Sequence, residues 1–406
     1  MRSQPRTPSS RTVLGTLAAA AALTLSACAS AGTAGTASGG GGGSAAAVKV
    51  GVLYSKTGLL AAYGKQYIEG FRAGIDYATH GTGKVNGHSL DITEQDDTGD
   101  PATAVSDAKS LIGKGYKILA GTVDSGVGLQ LAPLAAQNKV LYIAGPAATD
   151  ALTGINAYTF RSGRESYQDI ATAGSFVGDP KGKKVLVLAQ NSAFGQANVA
   201  AVKEVLGAKG ATVSSVLAPP SATDLTPFAQ QVKAAKPDLV YVAWAGATAT
   251  ALWTALDQQG VLGSTKVVTG LAGTASYPVF GAAGSKVDFL AHYFPGAGGG
   301  NPVETAMLDG IKKEGGTPDL FSPDGFTAAL MVVHAVEAST DDADAMVKAL
   351  DGWSFAGPKG QETIRSGDHA LLQPMFQAQL TGTGSALAPK LTATLTADQV
   401  APPVKK

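Results

Sequence analysis

From Val48 onward, short apolar strands alternate with segments whose apolar residues recur at helical spacing. This alternation limits the choice of fold more than any other property of the chain. Residues 48–53 read Val-Lys-Val-Gly-Val-Leu, a run rich in strand-forming residues. The helix predicted from about Gly64 carries on one face Tyr67, Phe71, Ile75 and Ala78. Strands that alternate with helices imply right-handed crossovers and a mostly parallel sheet.

The alternation continues through the first half of the chain and recurs in the second. In the first half we predict strands at 89–93, 117–120 and 140–144, a helix opened by Asp100-Pro101 and a helix at 126–137. In the second half we predict strands at 183–188, 238–243 and 266–268, and helices after Phe194-Gly195 and at 248–259. The recurrence is approximate and also fits the general regularity of α/β chains. Two successive α/β units are the simpler interpretation, and the loops after their strands would then line one cleft.

The first 27 residues have the pattern of a secretory signal peptide. The start is positively charged, and the apolar stretch 13–25 is well short of the roughly 20 residues that a membrane-spanning helix needs. The stretch closes with Leu25-Ser26-Ala27-Cys28, which resembles the lipobox of bacterial lipoproteins, where the cysteine receives a lipid. The alternative is a signal peptide with an incidental cysteine. Residues 28–47 are almost entirely Ala, Gly, Ser and Thr, which indicates a flexible tether.

Composition and motifs argue against several function classes. The 31 basic residues are balanced by 31 acidic ones, so no basic excess favours nucleic acid as a partner. The five histidines are scattered and the single cysteine is Cys28, so we expect neither a metal site nor an intramolecular disulfide. Glycines 58 and 64 before Lys65-Gln66 have the wrong spacing for a phosphate loop, and no Gly-x-Ser-x-Gly nucleophile motif occurs. No cofactor is expected.

Several short segments, in their order and spacing, resemble the type I periplasmic-binding-protein family, and within it the branched-chain amino-acid (Leu/Ile/Val) binding branch. The resemblance covers nearly all of residues 48–395 and rests on Val50-Gly51-Val52-Leu53, Ala62-Tyr63-Gly64, Asp96-Asp97-Thr98-Gly99-Asp100-Pro101, Asp124-Ser125-Gly126-Val127, Gly145-Pro146-Ala147-Ala148-Thr149 and Ala193-Phe194-Gly195. It implies two Rossmann-like α/β lobes with mostly parallel sheets, joined by a three-segment hinge. Lobe one would comprise residues 48–162 and 298–352, and lobe two residues 163–297 and 353–406. The lobes would close on a ligand by hinge bending.

The resemblance also implies a site for a ligand carboxylate. The matching positions are Asp124 or Ser125 in one loop, and Ala147, Ala148 and Thr149 in another. Backbone amides at a helix N-terminus and a hydroxyl group would hold the anion there.

Three aromatic residues match or adjoin the family's ligand positions. Tyr63 matches the ring that covers the ligand from lobe one, and Phe194 matches its counterpart from lobe two without the usual hydroxyl. Trp244 lies beside a further ligand position, Ala245. Because all three follow strands, we expect them to stack on a ligand rather than to fill the core.

Two positions depart from the family pattern. Leu271 stands where leucine-binding relatives hold the ligand's ammonium group with a glutamate. Asp124 stands where they have a serine, and a carboxylate would repel a ligand carboxylate unless it is protonated or bound to a cation. We therefore expect a less polar or amide-like ligand rather than a free amino acid.

The expected function is recognition without chemistry. The resemblance implies an extracytoplasmic solute-binding protein of an ABC importer, monomeric, anchored to the membrane through Cys28 and delivering its small-molecule ligand to a membrane permease. One alternative is a sensor that presents its closed form to a membrane receptor. A less favoured alternative is an α/β enzyme, for which the loops offer mainly hydroxyls, aromatics and small residues.

Overall fold

The computed structural model describes residues 45–405, without the side chains of residues 281–283 and 385. Its first part comprises β1 (Val48–Tyr54), α1 (Ala61–Ala78), β2 (Lys84–Val85), β3 (His88–Asp96), α2 (Pro101–Gly113), β4 (Ile118–Ala120), α3 (Ser125–Gln137), β5 (Leu141–Ala144) and β6 (Thr159–Arg161). These strands form one sheet in the order β2-β3-β1-β4-β5-β6, in which every neighbouring pair is parallel except β2 and β3. Helices cover both faces of the sheet, which explains why β4 and β5 are wholly buried.

The second part of the chain repeats this arrangement. It comprises α4 (Ser166–Val177), β7 (Lys184–Gln190), α5 (Ala193–Val202), β8 (Thr212–Ala218), α6 (Thr226–Ala235), β9 (Leu239–Ala243), α7 (Ala249–Gln258), β10 (Lys266–Gly270), α8 (Tyr277–Phe280) and β11 (Val287–Ala291). Its strands pair in parallel in the order β11-β10-β9-β7-β8.

The last part of the chain contributes to both sheets. It comprises α9 (Pro302–Lys313), α10 (Ser322–Ala338), α11 (Ala343–Leu350), β12 (Ser354–Gly357), β13 (Gly360–Ile364), β14 (Leu371–Leu372), β15 (Met375–Thr381) and β16 (Ala388–Leu395). Helix α10 packs on α1 so closely that a Cβ atom at Gly325 would lie 1.9 Å from the Tyr67 carbonyl oxygen. Strands β15 and β16 extend the second sheet as an antiparallel edge, to seven strands. We call the first sheet with α1–α3 and α9–α11 lobe one, and the seven-stranded sheet with α4–α8 lobe two.

The expected fold class is confirmed: two α/β lobes with mostly parallel sheets. The chain passes from one lobe to the other after β6, after β11 and after β14. Local signals agree as well, since Asp100 caps α2 by accepting a hydrogen bond from the Thr103 amide at 2.8 Å. The predicted signal peptide, Cys28 and the tether up to residue 44 lie outside the described residues. Within residues 45–405, no helix has the length and hydropathy to cross a membrane.

The segment that follows residue 353, which we expected to belong to lobe two, does not join lobe two at once. Strands β12, β13 and β14 form a separate three-stranded sheet. Its apolar residues Phe355, Ile364 and Leu371 are buried in the same hydrophobic cluster as Val50 and Met331 of lobe one. The segment 354–372 therefore packs with lobe one, and the chain joins the seven-stranded sheet only from β15 onward.

Ionisable side chains are buried where α10 meets this small sheet. The Nζ atom of Lys359 lies 3.6 Å from Asp324, and both side chains are almost fully enclosed. Glu362 accepts a hydrogen bond from the Thr327 hydroxyl at 3.0 Å, and its Oε1 atom has no partner among residues 45–405. Burial raises the pKa of Glu362 to about 7, because the enclosed site disfavours the charged carboxylate.

This pKa predicts a pH-dependent effect on stability. A carboxyl group whose pKa is higher in the folded chain than in the unfolded chain destabilises the fold as the pH rises from near 4.5 to about 7. We expect Glu362→Gln to raise the free energy of unfolding at pH 8 by about 1–3 kcal/mol and to change it little at pH 5. Urea unfolding at both pH values measures this, with the exposed Glu204→Gln as control. Equal changes at pH 5 and pH 8 would contradict the assignment.

Candidate functional site

A cleft opens between the lobes, at the carboxyl ends of their parallel strands. Its outer compartment has a volume of about 280 Å³ and is lined by the loops after β1, β4 and β5 of lobe one and after β7 and β9 of lobe two. An inner compartment of about 70 Å³ reaches towards β10 and β11 of lobe two. The two compartments share five lining residues, Tyr63, Arg164, Phe194, Ala245 and Phe321.

Seven of the residues predicted from the sequence line this cleft. The outer compartment is lined by Asp124, Ser125 and Ala148, the inner one by Trp244 and Leu271, and both by Tyr63 and Phe194. The loops predicted from the sequence thus lie together at this cleft, from both lobes. Whether each residue contacts a ligand stays a prediction.

Ala147 and Thr149 line neither compartment. Their carbonyl oxygens accept hydrogen bonds from the buried guanidinium of Arg161, at 2.6 and 2.9 Å. The Thr149 amide donates to the Ser125 hydroxyl oxygen at 3.2 Å. In this geometry, the two residues hold the loop after β5 in place and leave Ala148 to face the cleft.

Asp124 caps helix α3 at the cleft wall. Its Oδ1 atom accepts a hydrogen bond from the Val127 amide at 2.9 Å, and a residue at this position satisfies one of the free amides of the first helical turn. Burial raises the pKa of Asp124 above its usual value. The Asp124 carboxylate thus caps helix α3, a role that we did not infer from the serine found at this position in relatives.

Aromatic rings from both lobes face the cleft. The Tyr63 ring packs edge-on against Phe321, with ring centroids 4.7 Å apart, and its hydroxyl oxygen accepts a hydrogen bond from the Gly246 amide at 3.3 Å. Trp244 donates its indole N–H to Thr248 at 3.0 Å, which fixes the indole at the inner compartment. Rings held in this way offer flat apolar surfaces on which a ligand could stack.

Most of the side chains that line the inner compartment are aromatic or aliphatic. Leu271 is buried there, and its amide donates to the Leu290 carbonyl oxygen at 2.7 Å. Trp253 packs on Phe280 with ring centroids 4.8 Å apart, and both line the compartment. An apolar part of a ligand would be desolvated here.

Sequence reasoning missed Arg164, a cationic side chain that lines both compartments of the cleft. Arg164 lies on the first crossing between the lobes and is 6% exposed. Its Nη1 atom donates to the Pro146 carbonyl oxygen at 2.9 Å, its Nε atom lies 3.3 Å from Asp169, and its guanidinium lies 5.7 Å from the Phe321 ring centre. The available signal was a pair of arginines, at 161 and 164, the first of which ends strand β6 while the second follows it.

Gln190, His292 and Phe321 also line the cleft and were not predicted. The Gln190 side chain exchanges two hydrogen bonds with the backbone of Ala245, each of 3.1 Å, and so fixes the loop after β9. His292 lies on the second crossing and faces Phe321, with ring centroids 4.9 Å apart. Burial, together with nearby Arg164 and Lys359, keeps the pKa of His292 well below its usual value, so the ring is neutral. Among the described residues, no group of His, Cys, Asp or Glu could hold a metal ion.

Comparison with known proteins agrees with this geometry. A model of the periplasmic binding protein family matches residues 47–385. The chain belongs to the periplasmic binding protein family. Leu/Ile/Val-binding protein homolog 3 of Brucella melitensis is 26% identical over 75% of this chain and 83% of its own length. The expected type I family and its branched-chain amino-acid branch are therefore confirmed.

Solved structures of relatives share the fold. An ABC-type branched-chain amino acid transporter from Rhodopseudomonas palustris is 31% identical, with a TM-score of 0.71 over 88% of this chain and 99% of that one. A solute-binding protein of an ABC transporter from the same species, solved with p-hydroxybenzoic acid, is 24% identical, with a TM-score of 0.79 over 86% of this chain and 97% of that one. The second likeness supports the fold alone.

The capping role of Asp124 can be tested by unfolding. We expect Asp124→Ala to lower the free energy of unfolding by about 0.5–2 kcal/mol and Asp124→Asn to retain it, because asparagine caps as well as aspartate. Asp100→Ala, which removes the cap of α2 away from the cleft, should cost a similar amount. Urea denaturation of the four proteins at pH 7 measures the differences. If Asp124→Asn and Asp124→Ala lowered the free energy of unfolding equally, the negative charge of Asp124 and not its capping hydrogen bond would stabilise the fold.

Proposed function

We propose that the chain is the extracytoplasmic solute-binding protein of an ABC importer. It would take a small, largely apolar molecule into the cleft between its lobes, close by hinge bending and deliver the ligand to a membrane permease. The observation that carries this proposal is the cleft itself, which lies at the carboxyl ends of two parallel sheets and is lined from both lobes. The family and its relatives, which are binding proteins of transporters, support the same function.

Hydrogen bonds that join the lobes support closure. The Leu59 carbonyl oxygen of lobe one accepts from the Ala247 amide of lobe two at 3.2 Å, next to the bond between Tyr63 and Gly246. On another side of the cleft, Asp319 of lobe one accepts from the amide and the hydroxyl of Thr274, at 2.9 and 3.1 Å. These bonds would form when the lobes come together and break when they separate, so they favour the closed state.

The ligand class follows from the lining. Aromatic and aliphatic side chains dominate the inner compartment, which suits an apolar amino acid or an amide or aromatic derivative. Relatives include Leu/Ile/Val-binding proteins, and a structural neighbour holds p-hydroxybenzoic acid. Delivery of the closed form to a receptor, as in a sensor, is the second candidate. Uptake of labelled ligand by a deletion strain separates transport from sensing.

We also propose that the protein is held at the outer face of the cell membrane by a lipid on Cys28. Leu25-Ser26-Ala27-Cys28 ends an apolar stretch that follows a basic start, and a glycine-rich segment then precedes the folded lobes. Cys28→Ser should release the protein from the membrane fraction into the soluble fraction of the cell envelope or medium. Retention of this variant in the membrane fraction would sink the lipid-anchor proposal.

A binding screen tests the proposed function. The purified protein is titrated calorimetrically with apolar and aromatic amino acids, carboxylic acids, amides, polyamines and small sugars. Saturable binding of one of these compounds at a stoichiometry of about one is expected. If no compound binds, the solute-binding proposal for this cleft fails.

Gly246 offers a sharp test of closure. Its φ is +82°, and a Cβ atom there would lie 2.6 Å from the Leu59 carbonyl oxygen of the other lobe. Gly182 is a matched control, because its φ is +75° and a Cβ atom would contact nothing within 4 Å. Both Gly→Ala changes should cost about 1 kcal/mol of stability through backbone strain.

Only Gly246→Ala should also hinder closure, because only there does the added methyl group meet the other lobe. We expect it to weaken ligand binding at least about 10-fold, the loss that follows from about 1.4 kcal/mol of clash in the closed state. Gly182→Ala should bind as the unchanged protein does. Equal affinities of both variants, measured by calorimetry with the best ligand of the screen, would contradict binding by closure.

A further inference from the structure

The guanidinium of Arg164 has more hydrogen-bond donors than the protein satisfies. Arginine has five N–H donors. One goes to the Pro146 carbonyl oxygen, and the Nε group faces Asp169 without hydrogen-bond geometry. The Nη2 atom donates no hydrogen bond to residues 45–405, and unlike Nε it is not fully enclosed, although Arg164 as a whole is only 6% exposed. The donors of Nη2 are therefore available to an acceptor from outside the chain, and a hydrogen bond to a charged group is stronger than one to a neutral group.

The position of Arg164 directs these donors at the ligand space. It lines both compartments, and no other cationic side chain of the described residues lines either of them. Phe321, Tyr63 and Phe194 line the same two compartments beside it. A planar carboxylate with an apolar or aromatic body would therefore match the guanidinium at one end and the rings at the other.

The same surroundings provide no acceptor for an ammonium group close to that carboxylate. Asp169 is the only carboxylate of the described residues that lines the inner compartment, it is ion-paired with Arg164, and its remaining oxygen is enclosed. Asp124 lines only the outer compartment and accepts the Val127 amide. Leu271 adds an apolar side chain. An α-ammonium group would thus be desolvated next to a like charge.

We propose that Arg164 is the anion-binding residue of the cleft and that the ligand is a small carboxylate with an apolar or aromatic body and no ammonium group. The inference rests on the proposed function and narrows its ligand class. The carboxylate accepts two parallel hydrogen bonds from the guanidinium, and the body of the ligand enters the inner compartment. Neutral His292, on the neighbouring crossing, lines that compartment and can hydrogen-bond a polar substituent of the body.

Matched compounds test the proposal on the unchanged protein. Benzoate is compared with benzamide, and 4-methylpentanoate with 4-methylpentanamide and with leucine, which carries the same body with an added ammonium group. We expect at least one acid to bind about 10- to 100-fold more tightly than its amide, and leucine to bind less tightly than 4-methylpentanoate. Leucine binding as tightly as 4-methylpentanoate, or an amide as tightly as its acid, overturns the inference. If both acids fail and an amino acid, amine or sugar binds, the inference falls while the proposed function stands.

Variants assign the preference to the residue. Arg164→Gln should remove the preference for the acid over its amide, and Arg164→Lys should retain part of it, because the charge stays while the bidentate geometry is lost. Arg72→Gln makes the same change on α1, where Arg72 pairs with Glu94 outside the cleft, and should leave affinity unchanged. Circular dichroism confirms folding of each variant. If Arg164→Gln folds and keeps the full preference for the acid over its amide, the assignment is contradicted. If Arg164→Gln does not fold, an undiminished preference in Arg164→Lys contradicts the assignment instead.

Discussion

The site depends on the contacts of one buried cationic side chain, Arg164, at the junction of the two lobes. Arg164 lies on the first crossing, bonds to the loop after β5 of lobe one through Pro146 and pairs with Asp169 on α4 of lobe two. A charge taken out of water must be compensated, and the buried carboxylate of Asp169 does so for Arg164. The crossing is thereby fixed to both lobes, while the open side of the guanidinium faces the cleft. Arg164 thus both joins the two lobes and presents hydrogen-bond donors to the ligand space.

Around this cation, each lobe supplies one wall of the cleft through the ends of its strands. Hydrogen bonds between side chains and the backbone fix those walls: the Arg161 side chain holds the loop after β5, and the Gln190 side chain holds the loop after β9. The rings of Tyr63 and Phe194 then face the same space from opposite lobes. Contacts such as that between Asp319 and Thr274 join the lobes without touching the ligand space, so closure and recognition can be altered separately.

The sequence predicted the fold well because periodicity and capping are local. Asp100 and its neighbouring proline mark the start of α2, and buried strands such as β5 are apolar throughout. The family resemblance assigns Tyr63 and Asp124 to the cleft, and their positions after parallel strands agree with this, because the carboxyl ends of such strands meet at one edge of a sheet. The role of Asp124 as a helix cap needed the side-chain geometry.

Arg164 and Phe321 could not be found in this way. Each belongs to a segment that reaches the cleft only through the tertiary path of the chain, one on a crossing and the other before α10. Ala147 and Thr149 belong to the loop after β5 but do not line the cleft in this structure, and their carbonyl oxygens accept hydrogen bonds from Arg161. Likewise, no local pattern distinguishes β12–β14, which pack with lobe one, from the strands that continue lobe two.

The most direct test of this account is a crystal structure of the protein with the tightest-binding acid of the matched set. The account predicts closed lobes, with both carboxylate oxygens about 2.7–2.9 Å from nitrogen atoms of the Arg164 guanidinium and the apolar body between Tyr63 and Phe194. A ligand whose carboxylate lies instead at the N-terminus of α3, with Arg164 bonded only to Pro146 and Asp169, would contradict it.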